Sequence, residues 1–131
     1  SGMFKIQTFQ PGHANSSFET NIGWNGKSLN TNFEYKTMAI TIDEAINFFN
    51  LKVPNYIKID VDGNEHLVLE GAKKTLKEIE EVLIELPGVW TEQTKLCHEI
   101  LLASGLTRTK KHNFDMLNNP NVSANEIWKR K

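Results

Sequence analysis

Tyr56-Ile57-Lys58-Ile59-Asp60-Val61-Asp62-Gly63-Asn64-Glu65 passes from an apolar alternation into a turn and then into a helix start. Ile57, Ile59 and Val61 recur at a period of two, which puts all three on one face of a strand over 56–61. Asp62-Gly63-Asn64 supplies turn chemistry. Beyond it Leu69, Ala72, Leu76 and Ile79 return at intervals of three and four, so residues 65–79 are expected to form a helix with one apolar stripe. Lys73, Lys74, Lys77 and Glu78 fall on its solvent side.

The same strand–helix rhythm extends in both directions. Residues 35–42 alternate as a strand, Thr41 or Asp43 can cap a short helix over 44–50, and Val53-Pro54 ends it. Glu81–Leu86 reads as the next strand, closed by Pro87-Gly88. Thr91 opens a helix with Leu96, Ile100 and Leu101 inward, and Gly105 is placed to end it. Two more strands are expected over 106–112 and 126–130, around an Asn-rich stretch. Upstream, 3–9 alternates briefly, and 10–31 is rich in Gly, Asn and Ser, with Asn25-Gly26 as a hairpin signal. Alternating strands and helices predict an α/β domain whose mainly parallel sheet has helices on both faces. Ligands of such folds gather at the carboxyl ends of the strands.

A chain of 131 residues has room for one domain. Ser1-Gly2 ahead of Met3 read as a tag remnant, leaving 3–131 as that domain. The net charge of −1 supplies no field that would draw the chain onto nucleic acid or an anionic membrane. The longest apolar run covers only residues 100–103, so no membrane span is expected. The single cysteine, Cys97, rules out an internal disulfide and makes a reducing, cytoplasmic setting the expectation. It reads as a small core residue beside a diverging His98. The four histidines show no metal spacing, and Lys129-Arg130-Lys131 reads as a solvated terminus.

The densest chemistry lies at the end of the 56–61 strand. Lys58 and Asp60 share a face, with α-carbons roughly 6.5 Å apart. Asp60, at the carboxyl end, is well placed to face a ligand, and Lys58 either pairs with it or snorkels from the sheet. Asp62 and Glu65 have the spacing of a capping box. Glu85 sits near the carboxyl end of the following strand. If the two strands are neighbours, Asp60 and Glu85 form a pair that can hold a metal, orient a cation or abstract a proton; a solvated strand-end glutamate is the plainer reading.

These residues resemble the signature of the FkbM-type methyltransferases, I-K-x-D-x-E-G-x-E followed by V-L-x-G-A. Residues 56–65 and Val68-Leu69-Glu70-Gly71-Ala72 carry it, with Asp62 standing where the family has Glu. Thr41-Ile42-Asp43-Glu44 is similar to the family's T-x-D lead-in, and Val82-Leu83-Ile84-Glu85 to its strand ending in Glu, so the likeness covers about 35–105. The resemblance implies a Rossmann-like, class I three-layer sandwich, mainly parallel with an antiparallel carboxyl-terminal edge. It implies methyl transfer from S-adenosylmethionine to a hydroxyl of a small-molecule or saccharide acceptor. Asp60 would stand at the acceptor and cofactor edge, Lys58 would orient it, and Glu65 and Glu85 would support substrate binding. The family's amino-terminal glycine-rich loop and acidic ribose-binding strand end have no match. Asn21-Ile22-Gly23-Trp24 echoes the loop outside the strand–turn–helix setting it needs. The chain therefore reads as the carboxyl half of a methyltransferase, without the cofactor-binding half. The alternative is a non-catalytic remnant that binds or oligomerises. A half sheet leaves an open edge and apolar surface that favour a homodimer. A third reading, a metal-dependent hydrolase or acidic binding module, rests on Asp60, Asp62 and Glu85 alone.

Overall fold

The computed structural model describes residues 1–7, 16–23, 25–88, 91–113 and 123–131. Three short strands, β1 (Gly2–Ile6), β2 (Ser16–Phe18) and β3 (Phe33–Thr37), form an antiparallel sheet in the order β2-β1-β3. Gly2 is part of β1, opposite Thr37. The Asn25-Gly26 signal marks a real turn: Gly26, at φ 73°, donates to the Gly23 carbonyl (2.9 Å), and Ile22 bridges Ser28. Among the described residues no helix follows Gly23 before residue 42, so Ile22 and Gly23 of the glycine echo belong to a hairpin; Trp24 lies outside the described residues, as do Thr8 and Phe9 of the first predicted strand.

Helix α1 (Ile42–Phe48) starts earlier than expected because Thr41 builds a capping box with Glu44. The Glu44 amide donates to Thr41 Oγ1 (3.1 Å) and the Thr41 amide to Glu44 Oε2 (2.9 Å). The predicted 35–42 strand is accordingly cut short at Thr37. The chain continues through β4 (Tyr56–Ile59), α2 (Glu65–Glu70), a 3₁₀ turn (Thr75–Lys77), β5 (Glu81–Leu86), α3 (Thr91–Ala103), β6 (Leu106–Asn113) and β7 (Ala124–Arg130).

The second sheet has the order β4-β5-β7-β6. β4 runs parallel to β5, and β7 is antiparallel to both of its neighbours. The antiparallel carboxyl-terminal edge is therefore present, but only one of the three pairings is parallel. β3, counted among the parallel strands from its place in the sequence, pairs with β1 instead. Both α2 and α3 pack on one face, where Ile59, Val82, Ile84, Leu86 and Trp128 meet Leu69, Ala72, Leu76, Cys97 and Leu101 in a single core. The other face carries Tyr56, Lys58 and Lys129, all exposed. Among the described residues the arrangement has two layers where three were expected, and the antiparallel strands are what allow one face to stay wet.

The helix predicted over 65–79 is broken, although its stripe of Leu69, Ala72, Leu76 and Ile79 is fully buried as expected. Asp43 causes the break. Its amide takes the Gly71 carbonyl (3.0 Å), and its carboxylate takes the amides of Lys74 and Thr75 (both 2.9 Å) and the Thr75 hydroxyl (2.6 Å). These groups would otherwise continue the helical ladder. Burial works against the Asp43 charge, but the Thr75 hydroxyl and the two amides outweigh it and hold the carboxyl below its ordinary value. Gly71 is a glycine for a related reason: a Cβ there would stand 3.0 Å from Thr41 Cβ and Cγ2.

Two side-chain expectations fail. Leu96 is 48% exposed, because the inward stripe of α3 runs through Gln93, Cys97 and Leu101. Arg130 is no solvated terminus: it donates to the carbonyls of Ile79 (2.9 Å), Leu76 (2.6 Å) and Ser104 (3.2 Å), capping the 3₁₀ turn and the end of α3. Gly105, at φ 82°, ends that helix as predicted. No helix among the described residues is long and apolar enough to cross a membrane.

Candidate functional site

Ile59 is the last buried residue of β4, and Asp60 emerges directly after it. Lys58 Nζ donates to Asp60 Oδ2 at 2.8 Å, with side chains 61% and 40% exposed. A pair this open to solvent adds little to stability, so its main effect is to fix the orientation of the Asp60 carboxylate. The hydrogen bond to Asp60 and its charge hold the Lys58 ammonium above its ordinary pKa. Among the described residues Asp60 Oδ1 receives no hydrogen bond.

The parallel register ends at Ile59 opposite Ile84, so Asp60 comes alongside Glu85 one step further on. Burial, the Asp60 charge, and the more distant Asp62 and Glu65 raise the Glu85 pKa, against a hydrogen bond from Ser123. The Asp62 pKa is raised as well, by burial and then by Asp60 and Glu65. Asp62 sits at φ 53° and Gly63 at φ 107°, two successive left-handed residues that turn the chain sharply off the strand. The N-cap of α2 is therefore Asn64, and Asp62 and Glu65 form no capping box. The extra left-handed residue displaces Asp62 from the cap position.

Glu65 is enclosed, at 2% exposure. It accepts from the Gly63 amide (3.0 Å) and from Gln93 Nε2, so it braces the turn from behind. Gln93 is itself 1% exposed, and its Oε1 has no partner among the described residues. Sequence reasoning overlooked Gln93, although its i, i+4 spacing to Cys97 and Leu101 marks it as inward. Ser123, the partner of Glu85, lay hidden in the Asn-rich stretch, where no periodicity could mark it. Burial pushes the Cys97 thiol up to about 12, which makes it an inert core group. Among the described residues no three His, Cys, Asp or Glu side chains are grouped to hold a metal ion.

The raised Glu85 pKa has a testable consequence. A carboxyl that holds its proton more tightly folded than unfolded destabilises the native state once pH rises above the ordinary carboxylate range. Glu85→Gln should match the wild type in thermal melting under acid conditions and melt higher at neutral pH. An equal or lower melting temperature at neutral pH would show that burial and the Asp60 charge do not outweigh the Ser123 hydrogen bond at Glu85.

An α/β domain with an acidic rim at the carboxyl ends of a parallel pair is the class that fold and site define. A family model described as the methyltransferase FkbM domain matches residues 5–116, reaching further at both ends than the motif region 35–105. The chain belongs to the FkbM methyltransferase family. Comparison with curated proteins and with solved structures gave no significant match.

Proposed function

We propose that the rim formed by Asp60, Asp62 and Glu85 serves O-methylation of a hydroxyl on a small molecule or saccharide, with S-adenosylmethionine as methyl donor. The β4–β5 pair and its antiparallel edge correspond, on this reading, to the carboxyl half of a Rossmann-like sheet. The observation that carries it is the half-exposed Asp60 carboxylate, whose Oδ2 is held by Lys58 at 2.8 Å and whose Oδ1 accepts no hydrogen bond among the described residues. The family supplies the reaction type.

The rim fits the cationic end of S-adenosylmethionine. Its carboxylates are acceptors, and Asp62 and Glu85 both hold protons more tightly than usual, through burial first and then the neighbouring carboxylate charges, which a bound cation would offset. Asp60 and Asp62 would hold that end, and the bound cofactor would supply an electrophilic methyl group. Asp60 Oδ1 accepts the hydrogen bond of the acceptor hydroxyl and takes its proton as the oxygen becomes nucleophilic. Lys58 keeps the carboxylate aimed. Glu65 acts at one remove, through the Gly63 amide, as a positioning residue.

Isothermal titration with S-adenosylmethionine tests the proposal. Saturable heat that is lost when Asp60 and Asp62 are both changed to Asn supports it. No heat at high protein concentration would overturn it and favour a binding module with no cofactor.

A further inference from the structure

Residues 106–131 hold six Lys and Arg against two Asp and Glu, in a chain that holds 15 against 16. Positive charge is thus gathered on the carboxyl-terminal strands, a segregation that the net charge conceals. Strand β6 lies at the edge of the second sheet, and its register shifts between Arg108 and Lys110. Thr109 is the extra residue of that bulge, so Arg108 and Lys111, three apart, share the face that carries Glu126. Lys110 pairs with Ile127 and takes the opposite face.

The cations around Glu126 exceed what one carboxylate needs. Arg108 Nη1 donates to Glu126 Oε1 at 2.8 Å, while His98 Nε2 and Trp128 Nε1 meet Oε2 at 2.8 and 3.0 Å. Lys111 Nζ stands 3.9 Å from Oε1, too far for a hydrogen bond. Among the described residues the Lys111 ammonium donates to nothing, and Arg108 engages only Nη1. Both side chains are half-exposed. Because both approach one oxygen, they stand no further apart than those two distances together, a gap that a single oxyanion spans. Lysine and a bulge on an edge strand also discourage strand addition. Lys110 meets that need, which does not call for two cations over one carboxylate, where they repel each other.

We propose that Arg108 and Lys111 bind an oxyanion, the phosphoryl or carboxylate group of a small ligand. The guanidinium supplies a planar fork and the ammonium a point charge with rotatable donors, which together match the acceptor oxygens of such a group. Glu126, buried beneath them, is a positioning residue: it anchors one corner of the fork and leaves the other donors to the ligand. The site is independent of methyl transfer, since it lies on the face where α3 packs and not on the rim.

Amide chemical shifts followed during titration with inorganic phosphate test it, with sodium chloride exchanged to hold the ionic strength constant. Shifts that saturate at residues 106–112 and at Glu126 support the site. Lys111→Gln should weaken binding by about tenfold, the worth of one charged hydrogen bond. Lys110→Gln, on the opposite face, should leave it unchanged. Lys111 makes no hydrogen bond among the described residues, so its replacement keeps the fold, and circular dichroism checks this. Acetate as a second probe separates the two sources: tighter phosphate assigns a phosphoryl group, tighter acetate a carboxylate. No saturation with either probe would overturn the inference. So would Lys111→Gln binding as tightly as the wild type, or both lysine variants weakening alike, which marks the general field of β6 and not a site.

Discussion

Glu126→Ala should lower the unfolding free energy by about 3 kcal/mol, the lower end of what removing one side of a buried ion pair costs. Glu126 is 1% exposed and is the hub of β7. Arg108 Nη1 and His98 Nε2 each reach it at 2.8 Å, Trp128 Nε1 at 3.0 Å, and Lys111 Nζ at 3.9 Å. Alanine strands the Trp128 N–H beneath α3 and leaves a void. The effect stays at the lower end because Arg108 and Lys111 are 42% and 49% exposed and regain water. Glu126→Gln keeps an acceptor in place and should lose about half as much. Urea denaturation reads both, as a lower midpoint at unchanged slope. A loss below about 1 kcal/mol for alanine would mean that the carboxylate's desolvation cancels its bonds.

Asp60→Asn carries the largest expected effect on activity. Asparagine keeps the shape of the side chain but cannot take a proton, so methyl transfer to a hydroxylated saccharide should fall by about 10²–10⁴. Release of S-adenosylhomocysteine over a panel of such acceptors measures it. Affinity for S-adenosylmethionine should fall by no more than about tenfold, because a charge this open contributes little binding energy. Melting should barely change. Lys58→Met should slow turnover less than Asp60→Asn does, since it removes only the group that aims the carboxylate. If Asp60→Asn turned over as fast as the wild type, Asp60 would have no part in proton transfer, whatever the family resemblance.

The core of this fold was legible because it depends on local period. Leu69, Ala72, Leu76 and Ile79 are all fully buried, and Glu81–Leu86 is a strand with the predicted bounds. What failed depends on contacts distant in sequence. The alternation of 35–42 marks a strand but does not name its partner, and the strand that forms, β3, joined β1. The break after α2 comes from Asp43, more than one turn of chain and a whole strand away, capturing the amides of Lys74 and Thr75. Arg130 looked like an exposed basic end because its acceptors, the last carbonyls of two helical segments, are visible only in three dimensions.

The candidate site divides in the same way. Asp60 at the strand end, its pairing with Lys58 and its approach to Glu85 follow from strand geometry. The enclosure of Glu65 does not, because it depends on Gln93 arriving from α3. A glutamate at the first position of a helix looks the same in sequence whether it faces solvent or a buried amide.

The order β4-β5-β7-β6 sets a condition on biosynthesis. Of the four strands in this sheet, the one made last is wedged between two made earlier, so β5 and β6 must wait apart until residues 124–130 thread into the gap. Nascent chains arrested before that point would display two unsatisfied strand edges, a template for misassembly that the arrival of residues 124–130 removes.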